Sequence, residues 1–147
     1  MNKNDYIYLD HAATTPMREV AFEAYKKTEV DAYANSSGGH ALSRKAKNIL
    51  EESREYIASC FGAAPNEITF TSGGTEADNW IIKTPFIDKD TSAELTTTQI
   101  EHEAVLASAE NVHSKGFNVN FVSCDSEGVT NIDEFKKSIN ENTLIAS

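Results

Sequence analysis

The amino-acid sequence predicts an α/β fold built on parallel strands. Short runs of β-branched and aromatic residues alternate along the chain with amphipathic stretches of ten or more residues, a length typical of helices. Strands that are separated by such helices pair in parallel through crossover connections. The sequence contains no internal repeat or low-complexity linker that would divide this alternation. We therefore expect a layered α/β structure.

The first half of the chain predicts an extended segment and two helices. Residues 6–9 read as extended, and Thr14-Thr15-Pro16 is typical of a helix start, with a hydroxyl N-cap before a proline. One helical face follows, formed by Met17, Val20, Ala21, Ala24 and Tyr25. Residues 33–40, rich in Asn, Ser and Gly, predict a loop. A longer helix with an apolar stripe then runs from Leu42 to a stop at Gly62.

The second half predicts strands and helices in regular succession. In chain order they are a strand at 68–71, a glycine turn at 72–75, a helix ending before Thr84-Pro85, a strand at 95–100, a helix from 101–103 to Lys115-Gly116, a strand at 117–121, a helix marked by Ile132, Phe135 and Ile139, and a strand at 143–146.

The composition excludes two classes of partner. The 147 residues include 13 Lys+Arg against 23 Asp+Glu, a formal charge of −10, so no cationic cluster offers a surface for nucleic acid. No stretch reaches the roughly 18 continuous apolar residues of a membrane span, and residues 1–10 lack the apolar core of a signal peptide. We expect a cytoplasmic protein in which Cys60 and Cys124 are reduced, buried packing residues.

The segment with the most chemical information is Ser72-Gly73-Gly74-Thr75. A glycine turn between a strand and a helix lets the backbone approach a ligand, and the helix start offers free N–H groups that suit a phosphate. Thr75 adds a hydroxyl. The spacing is neither GxGxxG nor GxxxxGK[ST], and a plain turn capped by Ser72 or Thr75 is the alternative interpretation.

His102 is the second candidate. It lies where a strand leads into a helix, at the carboxyl edge of the predicted sheet, where ligands of open α/β sheets bind. A capping or surface histidine is the alternative. His11, His40 and His113 are weaker candidates, and no group of residues has convincing metal-ligand spacing.

Four segments resemble one family in order. Residues 9–16, LDHAATTP, resemble the "LD-x-x-ATTP" opening of NifS/IscS-like cysteine desulfurases, which are class V aminotransferase-family enzymes that use pyridoxal phosphate. Residues 35–40 resemble their "NPSS-x-H" loop without its proline, residues 70–79 match "FTSG-[AG]-TE-[AS]-DN", and residues 101–106 match "EH-x-AVL". The third motif is the most specific.

The resemblance implies that Gly74 and Thr75 bind the cofactor phosphate and that His102 stacks on the pyridine ring and assists proton transfer. It implies the type I pyridoxal-phosphate fold, a mostly parallel sheet with helices on both faces, active as a homodimer. Residues 1–15 would belong to the small-domain side and residues 16–147 to an incomplete cofactor-binding large domain. The implied reaction converts L-cysteine to L-alanine and an enzyme persulfide, which a sulfur-acceptor or scaffold protein takes for iron–sulfur cluster or thio-cofactor assembly.

In the family, the cofactor-binding lysine, the aspartate at the pyridine nitrogen and the sulfur-accepting cysteine all follow the equivalent of Ser147. No lysine here stands in the family's "S-x-H-K" pattern. We therefore expect an amino-terminal part of such an enzyme, inactive by itself. The alternatives are another class V aminotransferase-type enzyme and a non-catalytic phosphate-binding module.

Overall fold

A computed structural model of the chain describes residues 7–147. Its helices and strands fall into two units that divide between Thr69 and Phe70. Residues 1–6 lie outside the described residues, and with them Tyr6 of the predicted extended segment and part of the predicted 1–15 segment. Among residues 7–147, no helix is both long enough and apolar enough to cross a membrane.

The first unit contains helix α1, Glu19–Asp31, and helix α2, Ala41–Phe61, followed by a 3-10 turn at Pro65–Glu67. The predicted start of α1 at Thr14-Thr15-Pro16 is wrong, because α1 begins at Glu19 behind Arg18, which gives no side-chain cap. Both threonines are engaged in a preceding turn. The Thr14 N–H donates to the Asp10 carbonyl at 3.4 Å, and the Thr15 hydroxyl bonds His11 Nδ1 at 3.1 Å.

Helix α2 and the loop before it follow the sequence prediction. Gly62 ends the helix in the left-handed conformation, with φ 65°. At the other end, His40 Nδ1 accepts a hydrogen bond from the Ser43 N–H at 3.3 Å. Ser43 is fully buried against Gly38, where an added Cβ would overlap its hydroxyl. Close packing at Gly38 therefore restrains the loop at residues 35–40, which lacks the proline of the NPSS-x-H motif.

One predicted strand is not found. The structure assigns no strand to residues 68–71. Ile68 is extended, with φ −99° and ψ 125°, but its carbonyl accepts from Arg54 Nη1 at 2.6 Å. The Ile68 carbonyl is therefore hydrogen-bonded to a side chain and not to a neighbouring strand.

The second unit alternates helices and strands. In chain order these are α3 (Gly74–Lys83), a 3-10 turn (Thr84–Phe86), β1 (Glu94–Thr98), α4 (Glu103–Ser114), β2 (Asn118–Val122), α5 (Ile132–Ser138) and β3 (Thr143–Ala146). The strands form a sheet in the order β2-β1-β3, and β1 pairs in parallel with both neighbours. The predicted parallel α/β fold is confirmed.

Helices cover both faces of this sheet. Leu95 packs in a buried cluster with residues of α3 and α4, whereas the next residue, Thr96, donates its hydroxyl to the Ser138 carbonyl of α5 at 3.2 Å. Successive strand residues point to opposite faces, so α3 and α4 lie on one face and α5 on the other. The connection from β1 through α4 to β2 and the connection from β2 through α5 to β3 run in opposite directions along the sheet. Because such crossovers share one handedness, their helices lie on opposite faces.

The core of the second unit lies between β1 and the α3–α4 layer. It consists of Ile82, Phe86, Ala93, Leu95, Val105, Ala109, Val112 and Phe117. Phe86 and Phe117 meet edge to face with ring centroids 5.0 Å apart. The expectation that both cysteines are buried is wrong: Cys60 is exposed and Cys124 is half-buried, and both are free thiols.

Candidate functional site

The start of α3 presents backbone donors to solvent. Gly73 is the N-cap residue and supplies no side-chain cap, and the first helical hydrogen bond runs from the Ala77 N–H to the Gly73 carbonyl at 3.2 Å. The N–H groups of Gly74, Thr75 and Glu76 therefore precede the helical ladder and have no acceptor among residues 7–147. These three residues are exposed. Such a helix end attracts an anion.

Neither Ser72 nor Thr75 caps this helix, so the plain-turn interpretation fails in that form. Ser72 instead donates both its N–H and its hydroxyl to Glu76 Oε2, each at 2.7 Å. The Ser72 hydroxyl, and secondly its N–H, hold the pKa of Glu76 below the ordinary glutamate value. This pair was not predicted from the sequence, in which a glutamate in the first turn of a helix that opens with glycine was the available signal.

The glycines of the turn leave room for a ligand. A Cβ built on Gly73 or on Gly74 meets no atom within 4 Å. The Thr75 hydroxyl has no partner among the described residues, while the Thr75 carbonyl accepts from Asn79 Nδ2 at 2.7 Å. The donor set is therefore the N–H groups at the start of α3 and the Thr75 hydroxyl, which suits the oxygens of a phosphate ester.

His102 is the N-cap of α4, and its Nδ1 accepts the Ala104 N–H at 3.1 Å. This bond requires an unprotonated Nδ1, so the ring proton of the neutral form lies on Nε2. His102 is exposed. The neighbouring Glu101 accepts the Thr98 hydroxyl at 2.9 Å. The predicted position at the carboxyl end of a parallel strand is confirmed.

The predicted site residues lie at the starts of two neighbouring helices. Gly74 and Thr75 open α3, His102 precedes α4, and α3 packs against α4 in the second unit. One further polar group lies on β1, the strand that precedes His102. The Thr97 hydroxyl has no hydrogen-bond partner among residues 7–147, and Thr97 is fully buried, with 0% exposure.

The other histidines have structural contacts. His11 meets the Tyr8 ring edge to face with centroids 4.9 Å apart, His40 caps α2, and His113 Nδ1 bonds the Phe117 carbonyl at 3.3 Å. Over residues 7–147, no three His, Cys, Asp or Glu side chains are grouped so that they could hold a metal ion.

Comparisons with known proteins place the chain in a family. A sequence profile of the family described as Aminotransferase class-V matches residues 7–147. The chain is 37% identical to a cysteine desulfurase IscS of Dictyoglomus turgidum over 142 residues, which cover 96% of this chain and 36% of the relative. The chain therefore spans little more than a third of that relative's length.

Two solved structures are also similar. A NifS-like protein matches with a TM-score of 0.81 and 34% identity, over 91% of this chain and 37% of that protein. SspA in complex with cysteine matches with a TM-score of 0.86 and 34% identity, over 95% of this chain and 40% of SspA.

Proposed function

The chain belongs to the class-V aminotransferase family, and from this premise we propose that it forms the cofactor-cradling part of a pyridoxal-phosphate-dependent cysteine desulfurase. Enzymes of this family use pyridoxal phosphate in general. The observation that carries the proposal is the start of α3, where unengaged N–H groups and the Thr75 hydroxyl face open space. A phosphate ester is the anion that this donor set fits.

In the proposed site, Gly74 and Thr75 bind the phosphate of the cofactor through their N–H groups and the Thr75 hydroxyl. His102 stacks on the pyridine ring. Its Nδ1 is occupied by the Ala104 N–H, so Nε2 is the atom that holds or passes a proton. Bound pyridoxal phosphate supplies the electron sink that stabilises negative charge on the substrate carbon.

The proposed substrate is L-cysteine, and the products are L-alanine and an enzyme persulfide. Supporting this choice, the curated relative is named a cysteine desulfurase and the similar SspA structure contains cysteine. We propose a homodimer that passes sulfur to an acceptor or scaffold protein, with residues 1–15 on the small-domain side. A cytoplasmic location accords with the two free thiols.

An activity assay tests this proposal. The whole reading frame that encodes these residues is expressed, loaded with pyridoxal phosphate and supplied with L-cysteine. Stoichiometric alanine and persulfide support the proposal. Reaction with another amino acid alone would instead indicate a different class V enzyme.

The 147-residue chain is assayed in parallel. We infer that it does not turn over cysteine, because none of its lysines stands in the family's cofactor-binding pattern. Borohydride reduction after incubation with pyridoxal phosphate checks this point, since specific labelling of one lysine would contradict it. Phosphate binding without any activity of the whole reading frame would favour a non-catalytic module.

A further inference from the structure

The Ser72–Glu76 pair spans the two glycines of the proposed phosphate site. We propose that Glu76 is a positioning residue whose carboxylate holds the 72–75 turn in the shape that binds a phosphate. The inference rests on the proposed function, because it assumes that an anion binds there. Glu76 acts through Ser72 and does not itself contact the ligand.

Two hydrogen bonds connect the Glu76 carboxylate to the first residue of the turn. One oxygen, Glu76 Oε2, accepts both the N–H and the hydroxyl of Ser72 at 2.7 Å, the short distances of charge-assisted hydrogen bonds. Between the two residues lie Gly73 and Gly74, which have the widest backbone freedom of any residue type. A Cβ at either glycine would meet nothing within 4 Å, so packing does not fix them. Besides Glu76, the Thr71 hydroxyl bonds the turn, donating to the Gly73 carbonyl at 3.1 Å.

The Ser72–Glu76 pair also determines which donors of the site remain free to bind an anion. Since both Ser72 donors are taken by Glu76, the groups left for an anion are the N–H groups at the start of α3 and the Thr75 hydroxyl. The lowered pKa of Glu76 keeps the carboxylate ionised at neutral pH. Its repulsion of a bound phosphate is weakened by water and salt because Glu76 is exposed, whereas its hydrogen bonds act at contact distance.

A merely structural role makes a different prediction. An acidic residue in the first turn stabilises a helix through its dipole, and loss of that effect would lower the melting temperature without changing ligand affinity. Glu67 provides the matched control. Its Oε2 accepts the Ala64 N–H at 2.7 Å in the first unit, so Glu67→Gln weakens a similar bond at a residue that is not part of the proposed site.

The experiment uses the 147-residue chain and three probes: pyridoxamine 5′-phosphate, pyridoxamine and inorganic phosphate. The amine form avoids unspecific reaction of an aldehyde with lysines. We expect Glu76→Gln to weaken binding of both phosphate-containing probes roughly three- to tenfold and to leave pyridoxamine unchanged. Hydrogen exchange of the Ser72 amide, followed by NMR, should accelerate. Ser72→Ala, which removes only the hydroxyl bond, should give a smaller loss, and Glu67→Gln none.

Unchanged or tighter phosphate binding in Glu76→Gln would overturn the inference, as would an unchanged Ser72 exchange rate. The wild-type chain separates this outcome from failure of the proposed function. Binding of inorganic phosphate but not of pyridoxamine 5′-phosphate would count against the proposed function, and the phosphate and exchange data would then decide the role of Glu76. A wild-type chain that binds neither inorganic phosphate nor pyridoxamine 5′-phosphate overturns both the proposed function and the role of Glu76.

Discussion

His102 Nδ1 accepts the backbone N–H of Ala104 at 3.1 Å, so one ring nitrogen caps helix α4 although the residue is exposed. The same side chain thus has a structural role and a proposed role in cofactor binding. Substitutions can separate the two, because an asparagine can replace the cap but not the aromatic ring.

We expect His102→Asn to keep the stability of the chain and to bind pyridoxamine 5′-phosphate roughly three- to tenfold more weakly, the loss of an aromatic stacking contact. His102→Ala should lose both the cap, about 1 kcal/mol of stability, and the affinity. Urea unfolding and calorimetric titration measure the two effects. Wild-type affinity in His102→Asn would refute the stacking role.

Thr75→Val tests the side-chain donor of the proposed phosphate site. Thr75 is exposed and its hydroxyl has no partner among residues 7–147, so the stability should change by less than about 0.5 kcal/mol. Affinity for pyridoxamine 5′-phosphate should fall roughly tenfold, as for a lost hydrogen bond to a charged group. Thr75→Ser retains the hydroxyl and is the control; equal affinities of the two variants would contradict the proposed contact.

Gly38 and Gly39 form a matched pair in the loop before α2. A Cβ at Gly38 would overlap the Ser43 hydroxyl, and Ser43 is fully buried, whereas a Cβ at Gly39 meets nothing within 4 Å. Gly38→Ala should therefore cost about 1–3 kcal/mol through overpacking. Gly39→Ala should be nearly neutral. Thermal unfolding compares them, and equal melting temperatures would show that the loop relaxes around the added methyl group.

Glu94 should make the stability depend on pH. The Asn140 side chain, and then that of Asn118, lower the pKa of Glu94 below its ordinary value of 4.5. A depressed folded-state pKa gives stability that is present above the unfolded value and lost as the pH falls through the folded value. Glu94→Gln should therefore be less stable than wild type near about pH 6, and the difference should shrink toward about pH 3.

Urea midpoints across that range test the Glu94 prediction. Glu110→Gln, a change at an exposed glutamate of α4, controls for the loss of one negative charge. A constant difference between Glu94→Gln and wild type at every pH would contradict the proposed cause.

Features that depend on local chemistry could be predicted from the sequence. Gly62 at the end of α2 and Gly116 after α4 are such signals, because a helix stop needs only a few neighbouring residues. The parallel sheet followed from the alternation of strands and helices. Likewise, the position of His102 at a strand end depends only on the order of elements along the chain.

Features that depend on a distant or competing partner were missed. Residues 68–71 have strand composition, yet the Ile68 carbonyl bonds the Arg54 side chain. Thr14 and Thr15 have the composition of a helix cap, yet an earlier turn engages them. The Ser72–Glu76 pair was missed because Ser72 serves as a donor to Glu76 and not as the expected cap.

The central position of β1 sets an order for folding during synthesis. β1 is the first strand of the sheet to leave the ribosome, but its partners β2 and β3 begin 24 and 49 residues later. Until β3 emerges, one edge of β1 lacks its partner strand. Translation of the intervening residues therefore sets the earliest time at which this edge can close.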